Sequence, residues 1–202
     1  MCKRKILAAF FSAIASLLVS GQIQADLPGS TVCANGNENT AIVATTPTAD
    51  FIDNGDGTVT HEKTGLMWQR CSLGQSWDGT GCSNKASRFT SWQQTLRQAA
   101  QNDFAGRSDW RLPNRNELAS IIEYRCWMPA INSQHFPNTP AGKYWSSSPV
   151  SPSRFSVWWY VDFHSGIVST GSASWLDDEL SDELDIDIYY SIDHVRLVRN
   201  IE

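Results

Sequence analysis

Cysteine content is the feature that most restricts how this chain can fold. The sequence has five cysteines, and four of them lie in its body: Cys33, Cys71, Cys82 and Cys126. Four cysteines allow three disulfide connectivities, and a sequence alone does not choose among them. We favour Cys71–Cys82, which would close a Gly- and Ser-containing excursion, and Cys33–Cys126, which would tie an amino-terminal arm to the body. The alternative is a metal site, but no Cys-x-x-Cys pair with a nearby His supports zinc.

The amino terminus carries the pattern of a secretory signal peptide. The basic segment Lys3–Lys5 precedes an apolar run, Ile6–Val19, and Ile23–Ala25 offers the residues that a signal peptidase reads. The alternative is a membrane anchor, but this run is shorter than the roughly 20 residues that a helix needs to cross a bilayer. We therefore predict that residues 1–25 are removed. The mature chain would be exported to the periplasm, the outer surface or the medium, with no membrane insertion.

Charge narrows the range of partners. The full chain has 16 Lys+Arg against 21 Asp+Glu. Cleavage would remove Lys3, Arg4 and Lys5 and leave a net charge of about −8 by the same count. Nucleic acids and anionic membranes bind to basic patches. The composition thus argues against nucleic acid as a partner and weakens any proposal of a sulfated polysaccharide.

Two parts follow the predicted signal peptide. Residues 26–50 show no sustained hydrophobic period, and we interpret them as an extended arm or linker. Residues 51–202 have the length of one domain with its own core. This domain begins as a β-meander, in which the turn Asp53–Gly57 separates Phe51-Ile52 from the β-branched residues Thr58–Thr60. An EF-hand loop is the alternative for this turn, but its third and fifth positions are both glycine.

Two helices are predicted from their amino-terminal caps. Ser91 with Gln94 fits a capping box, and the helix that it opens should end near Asn102–Gly106. Asn114 with Glu117 fits a second capping box, followed by an apolar stripe at helical spacing.

The later part of the chain again predicts strands. Residues 157–163 alternate strictly, which places Val157, Trp159, Val161 and Phe163 on one face of a strand. The other face would carry Trp158, Tyr160 and Asp162. A last strand is predicted over 194–199.

Several segments together resemble a known family, that of the carboxy-terminal domain of the Legionella collagen-like adhesin. The resemblance extends over residues 51–199 and is carried by FIDNGDGTVTHEKTGLMWQR (51–70), DWRLPNRNEL (109–118), YWSSS (144–148), WWYVDFHSG (158–166) and VRLVR (195–199). It implies an α+β, C-type-lectin-like fold, with two helices packed against a twisted, mostly antiparallel sheet. The Trp-Arg-Leu-Pro entry to the second helix is also similar to that of formylglycine-generating enzymes, which share this architecture.

The family resemblance has functional implications and departures. Relatives are typically exported or surface proteins, and the best-known one acts in adhesion to glycosaminoglycans. Similar domains serve as the variable proteins of diversity-generating retroelements, in which one face, built from late strands and loops, varies in sequence. That face would correspond here to residues 147–155 and to side chains such as Trp158 and His164. This chain has no collagen-like Gly-x-y segment, which forms the stalk of the Legionella adhesin. The trimeric state of that adhesin is therefore not implied here, and the oligomeric state stays open. It also lacks the sugar-binding motifs of calcium-dependent lectins, such as Glu-Pro-Asn.

The favoured function is a non-catalytic binding module for a glycan or a protein at the cell surface. Its expected ligand-binding residues are Trp158, Tyr160, Asp162, His164 and Trp175. Aromatic rings beside a carboxylate are typical of binding patches. The alternative is that a neighbouring loop or the acidic segment covers Trp158 and Tyr160.

An acidic segment before the last strand is a candidate cation site. Seven acids fall within residues 177–187, and Asp177, Asp178, Glu179 and Asp185 could supply the several oxygens that Ca²⁺ requires. The alternative is a solvated, self-repelling loop. No other cofactor is indicated.

Two further functional classes remain. An enzyme is the less favoured of them, because the histidines are widely spread and only Asp162 and His164 could form a dyad. A structural or assembly subunit is the other alternative, in which the arm over 26–50 would add a strand to a partner sheet.

Overall fold

The structure, a computed structural model, describes residues 30–150, 157–172 and 192–201. In these ranges two α-helices and nine strands combine into an α+β fold. The strands are β1 Phe51–Asp53, β2 Thr58–His61, β3 Leu66–Gln69, β4 Ser76–Trp77, β5 Cys82–Ser83, β6 Lys143–Pro149, β7 Val157–Asp162, β8 Ile167–Ser172 and β9 Val198–Asn200, and the helices are α1 Trp92–Ala100 and α2 Arg115–Ala119. Within the same ranges no helix has the length and apolar character needed to cross a membrane.

The first sheet contains the predicted meander. Its strand order is β1-β2-β3-β9, and all three pairings are antiparallel. Gly57 ends the turn between β1 and β2 with a positive φ of 84°. A Cβ at this position would come within 2.7 Å of the Trp77 ring and 2.8 Å of the Phe104 ring. Glycine is therefore required both for the backbone angle and for the close approach of two aromatic side chains.

The second sheet has the order β6-β7-β8 and is also antiparallel. The register of β6 on β7 shifts between Trp145 and Pro149, where β6 contains a bulge or irregularity. The 192–195 segment covers the other edge of β6, because Trp145 N–H donates to the carbonyl of His194 at 3.0 Å. The strand β7 is thus central in its sheet.

Two apolar clusters lie on opposite faces of the strands. One contains Val161 and Phe163 of the β7 region together with the three apolar residues of the second predicted helix stripe, Leu118, Ile121 and Ile122. The other contains Tyr160 and Trp145, with Trp158 packed against it. Because β7 is covered on both faces, its alternating pattern does not separate an interior face from a solvent face.

Both expected disulfides are present. Cys33–Cys126 joins residues 93 apart in sequence, with a Cα–Cα distance of 5.3 Å. Cys71–Cys82 closes the excursion that contains the short hairpin strand β4, with a Cα–Cα distance of 5.5 Å. The α+β class and the disulfide pairing are confirmed, and the likeness to C-type lectins stays a prediction.

The helix caps form at the predicted residues. Ser91 Oγ accepts a hydrogen bond from the backbone N–H of Gln94 at 3.3 Å, and α1 ends at Ala100. Asn114 caps α2 in a complete capping box with Glu117. The second helix is short, because the chain leaves the helical path after Ala119 and carries Ile121 and Ile122 into the core as a turn.

Residues 30–50 are fastened to the domain by a buried carboxylate. Glu123 is fully buried and accepts hydrogen bonds from the backbone N–H groups of Thr45 (3.0 Å) and Thr46 (2.8 Å). Both threonine hydroxyls donate to the same carboxylate, at 3.2 and 3.1 Å. The backbone N–H of Arg125 is a further donor, at 2.9 Å. Together with the Cys33–Cys126 disulfide, these bonds hold the described part of the predicted arm against its own domain.

We expect Glu123→Gln to lower the free energy of unfolding by about 2 kcal/mol, because the amide offers one acceptor oxygen and places N–H groups against N–H donors. Urea unfolding of the oxidised protein would measure the loss. The matched control is Glu62→Gln, at an exposed position, which should change stability by no more than about 0.5 kcal/mol. Equal losses in the two variants would contradict a special role for Glu123.

Candidate functional site

A polar cleft opens where the start of α2 meets the end of β6. Its volume is about 300 Å³, and we call it the Trp159 cleft. It is lined by Asn114, Arg115, Asn116, Ser148, Pro149 and Trp159. Three consecutive residues at a helix start and three from two neighbouring strands therefore meet at one surface.

The helical side of the cleft is held by the capping box. Asn114 Oδ1 accepts hydrogen bonds from the backbone N–H groups of Asn116 and Glu117, both at 2.9 Å. Glu117 Oε2 accepts in return from the Asn114 N–H at 2.8 Å. The Arg111 guanidinium donates two hydrogen bonds to the same carboxylate, of 2.7 and 2.9 Å. Such paired donors fix both the angle and the position of the helix start.

The strand side of the cleft is tied directly to the helix. Ser148 Oγ accepts a hydrogen bond from the backbone N–H of Arg115 at 3.0 Å. One residue earlier, the Ser147 N–H donates to the carbonyl of Pro113 at 2.7 Å. These two bonds fix the width of the cleft, because they join its two walls. Since the Ser148 hydroxyl accepts in this bond, its own proton can be donated to a ligand.

Arg115 and Trp159 form the most prominent pair in the cleft. The guanidinium carbon of Arg115 lies 4.3 Å from the centre of the Trp159 ring, which is a cation–π geometry. Arg115 Nε donates to Asn116 Oδ1 at 3.2 Å. In the described residues Arg115 has no ion-pair partner, and no side chain accepts from Asn114 Nδ2 or Asn116 Nδ2. The cleft therefore presents several unengaged hydrogen-bond donors beside an indole ring.

Burial and hydrogen bonding act in opposite directions on Glu117. Partial burial alone would raise the pKa of this carboxyl group. The hydrogen bonds from Arg111 and from the Asn114 backbone, with the positive charge of Arg111, outweigh burial and hold the pKa below its usual value of 4.5. The ion pair at the helix start is therefore intact at neutral pH.

The expected exposed row on β7 differs from the structure at its centre. Tyr160 is only 6% exposed and belongs to the second apolar cluster. Trp158 is half-buried, because its ring stacks on Trp92 of α1 at 4.0 Å with an interplanar angle of 8°. The alternative expected a loop or the acidic segment to cover these rings, whereas the group stacked on Trp158 belongs to helix α1.

Asp162 and His164 lie at the turn between β7 and β8. The Asp162 carboxylate accepts a hydrogen bond from the backbone N–H of His164 at 2.8 Å, which stabilises the turn. The His164 side chain is exposed, and its carbonyl accepts from the Met128 N–H at 3.0 Å. The structure thus separates Asp162 and His164 from the Trp159 cleft.

The remaining predicted site residues fall outside the described ranges. They are Trp175 of the ligand-binding set and the four candidate calcium ligands Asp177, Asp178, Glu179 and Asp185. The predicted signal peptide over 1–25 also lies outside them. Within the described part of the chain no three His, Cys, Asp or Glu side chains are grouped as a metal site requires.

The family resemblance implied that residues 147–155, with Ser148 and Pro149, belong to a variable binding face, but the sequence assigned the other cleft residues different roles. Asn114 was recognised only as a helix cap, and Trp159 was placed on the face opposite the expected binding row. The missing information is that a bulged β6 brings Ser148 and Pro149 beside the start of α2. A pairing shift of this kind leaves no clear signal in a single sequence.

The comparison with protein families identifies the chain. The family model of the Lcl C-terminal domain matches residues 57–177, which is more than half of the sequence. The chain therefore belongs to the Lcl C-terminal domain family, and the match includes every residue that lines the Trp159 cleft. A search of curated proteins finds no match.

The lowered pKa of Glu117 predicts a pH dependence of stability. The unfolded chain binds a proton near pH 4.5 and the folded chain at lower pH, so the ion pair stabilises the fold above this range. That contribution is lost as the pH falls through the folded pKa. We expect Glu117→Gln, which keeps a capping side chain, to flatten this part of the curve of unfolding free energy against pH. Glu62→Gln should retain the slope, and identical slopes for Glu117→Gln and the unchanged protein would contradict the prediction.

Proposed function

We propose that this chain is a non-catalytic binding module of an exported protein, and that it holds a glycan in the Trp159 cleft. The observation that carries the proposal is the combination of an indole ring with unengaged donors from Arg115, Asn114 and Asn116. Sugars present hydroxyl oxygens that accept hydrogen bonds and C–H faces that pack on aromatic rings. Planar polar side chains beside a tryptophan match both surfaces.

The surroundings of the cleft support a preformed site. Both of its walls are joined by hydrogen bonds through Ser148 and Ser147, so a ligand would not have to order them. The ring of Trp159 is already held by Arg115. A sugar would therefore meet fixed donors, and less binding free energy would be lost to ordering side chains.

Export is supported by the disulfides. Both pairs are formed, and structural disulfides persist in oxidising compartments outside the cytosol. Membership of the Lcl C-terminal domain family is consistent with a secreted or surface module that is not an enzyme. The final compartment, whether periplasm, outer surface or medium, belongs to the proposal.

The first experiment is a screen of the purified, oxidised protein against an array of neutral oligosaccharides, followed by titration calorimetry with any ligand found. We expect Arg115→Gln to weaken binding by about tenfold or more, equivalent to about 1.4 kcal/mol, because it removes a charged donor and loosens Trp159. Asn116→Ala should weaken binding several-fold. The matched control is Arg97→Gln on the exposed face of α1, where an arginine also has no ion-pair partner among the described residues.

The same screen separates this site from the row predicted on β7. Trp158→Ala should lower stability, because it removes the stack on Trp92, without weakening glycan affinity. Loss of binding in Trp158→Ala with full binding in Arg115→Gln would refute the Trp159 cleft. Loss of binding in a chelator would place the ligand with calcium at the acidic 177–187 segment.

A protein partner is the alternative ligand class. The arm offers little support for strand donation, because residues 30–50 are held by Glu123 and by the Cys33–Cys126 disulfide. The strand β8 is an edge strand among the described residues, and its sequence, Ile167–Ser172, contains neither proline nor a charged residue. Such an edge can accept a strand from another chain. A glycan screen that finds no ligand would favour the hypothesis that the chain is an assembly subunit that binds another protein at β8.

A further inference from the structure

A second cleft lies on a different part of the surface, where the 84–88 loop faces the 138–141 segment. Its volume is about 470 Å³, and we call it the His194 cleft. Its lining contains the basic side chains Lys85, Arg88 and His194, the amide side chains Gln75, Asn84 and Asn138, and the small residues Ala86, Pro140 and Ala141. Among the described residues, no acidic side chain lines this cleft.

Backbone and side-chain contacts fix the walls of this cleft. The Ser87 N–H donates to the carbonyl of Leu73 at 2.7 Å, and a Cβ at Gly74 would overlap Ser87. Across the cleft, Gln75 Nε2 donates to the carbonyl of Asn138 at 3.0 Å. The loop that carries the two exposed cations is therefore held close to the rest of the domain.

In the part of the chain that the structure describes, the two cations of this loop have no ion-pair partner. Lys85 and Arg88 are exposed, and neither takes part in an ion pair with another described residue. Other arginines of the domain, such as Arg70, Arg107 and Arg111, each hold a carboxylate at 2.9 Å or less. Lys85 and Arg88 thus differ from these arginines, because no carboxylate of the described ranges neutralises either of them.

His194 lines the cleft from below and is only 9% exposed. Its Nδ1 is buried and has no hydrogen-bond partner in the described part of the chain. The Ser87 backbone lies near enough to favour the protonated ring, but it makes no hydrogen bond of normal geometry with Nδ1. The imidazole packs against Tyr144 at 5.3 Å, and Gly142 leaves room for it, because a Cβ there would lie 3.3 Å from the ring.

We propose that the His194 cleft binds a single anionic oxygen-acid group, a carboxylate or a phosphate, at the end of a ligand. Lys85 and Arg88 would supply the positive charge, and the amide of Asn138 would donate to the remaining oxygens. Gln75 and Asn84 each use one amide N–H within the protein, so each would offer its second N–H. His194 would face the same group from the floor of the cleft. This site is separate from the Trp159 cleft and does not depend on the glycan proposal.

The distribution of charge favours one anionic group over a polyanion. The cations of the cleft are confined to a short loop, whereas the whole chain carries a net charge of −5. A polyanionic chain would extend beyond these two cations, and the net negative charge of the whole protein would oppose its further anionic groups. A single terminal group would contact only the cleft.

The titration of His194 adds a pH dependence. Burial lowers the pKa of this imidazole, as do the charges of Arg88 and Arg196, whereas the Ser87 backbone and the charge of Asp193 act to raise it. Lys85 also lines the cleft, and Tyr144 packs against the His194 ring. A bound anion would raise the pKa, because it stabilises the protonated ring. Binding of an anion that stays ionised should therefore tighten in the pH range below 6.5, where the ring takes up its proton.

The test uses three sugars that differ at one carbon: glucose, glucuronate and glucose 6-phosphate. Each is titrated into the isotope-labelled, oxidised protein, and the backbone amide and histidine ring resonances are followed by NMR. We expect glucuronate, glucose 6-phosphate or both to shift the resonances of His194 and of residues 84–88, and glucose to leave them unchanged. The comparison of the two anions separates a carboxylate from a phosphate ligand. Binding should weaken with added salt.

Variants complete the test. Lys85→Gln and Arg88→Gln, at exposed positions that need not disturb folding, should each raise the dissociation constant by about fivefold or more, while Arg97→Gln should not change it. Equal shifts with glucose, shifts confined to other regions, or unchanged affinity in both loop variants would overturn the proposal. The glycan proposal is tested separately, by the affinity of Arg115→Gln for neutral oligosaccharides. Either proposal can therefore be refuted without the other.

Discussion

A buried positive charge holds the centre of this domain together. The Arg196 side chain is fully buried, and one of its terminal nitrogens donates to the backbone carbonyls of Gln69, at 3.0 Å, and Arg70. The other donates to the hydroxyls of Thr139, at 2.7 Å, and Ser72, at 3.2 Å. Burying an unpaired charge costs several kcal/mol unless hydrogen bonds replace the lost water. The fold therefore has to bring these four acceptors to one point.

The Arg196 network explains how distant segments find a single arrangement. In the described residues no carboxylate pairs with Arg196, so the acceptors are dipoles of the chain itself. Its guanidinium also lies over the rings of Phe136 and Tyr144, at 4.8 and 6.0 Å from their centres. Burial lowers the pKa of Arg196, and the nearby Tyr144 acts in the opposite direction. Any displacement of these segments would leave the charge unsatisfied, which makes the central packing specific as well as stable.

The sequence predicted the local elements well, because their signals are local. The capping box of Asn114 and Glu117 and the turn before Thr58 follow from residue types at short spacing. The disulfides are a different case: four cysteines left three pairings open, and the structure contains the favoured one. The exposed row on β7 was wrong at Tyr160, because alternation shows that a strand has two faces but not that one of them meets water. For the neighbouring Trp158, the cover comes from Trp92 of α1, which lies more than 50 residues away in sequence.

The Trp159 cleft and the buried Arg196 lay beyond sequence reasoning for a related reason. Each depends on side chains from three or more separate segments, and no spacing rule links them. The cleft in particular exists because a shifted register in β6 places Ser148 next to the helix start.

The covering of β7 on both faces limits where this domain could change its ligand. A substitution at Tyr160 or Val161 disturbs one of the two apolar clusters, so packing restricts which residues the middle of the strand can accept. Arg115 and Asn116, by contrast, lie at the end of an element and touch little of the core. If the Trp159 cleft holds the ligand as proposed, replacing them would change its binding specificity at a small cost in folding free energy. The architecture thus separates the residues that maintain the fold from those that are open to adaptation.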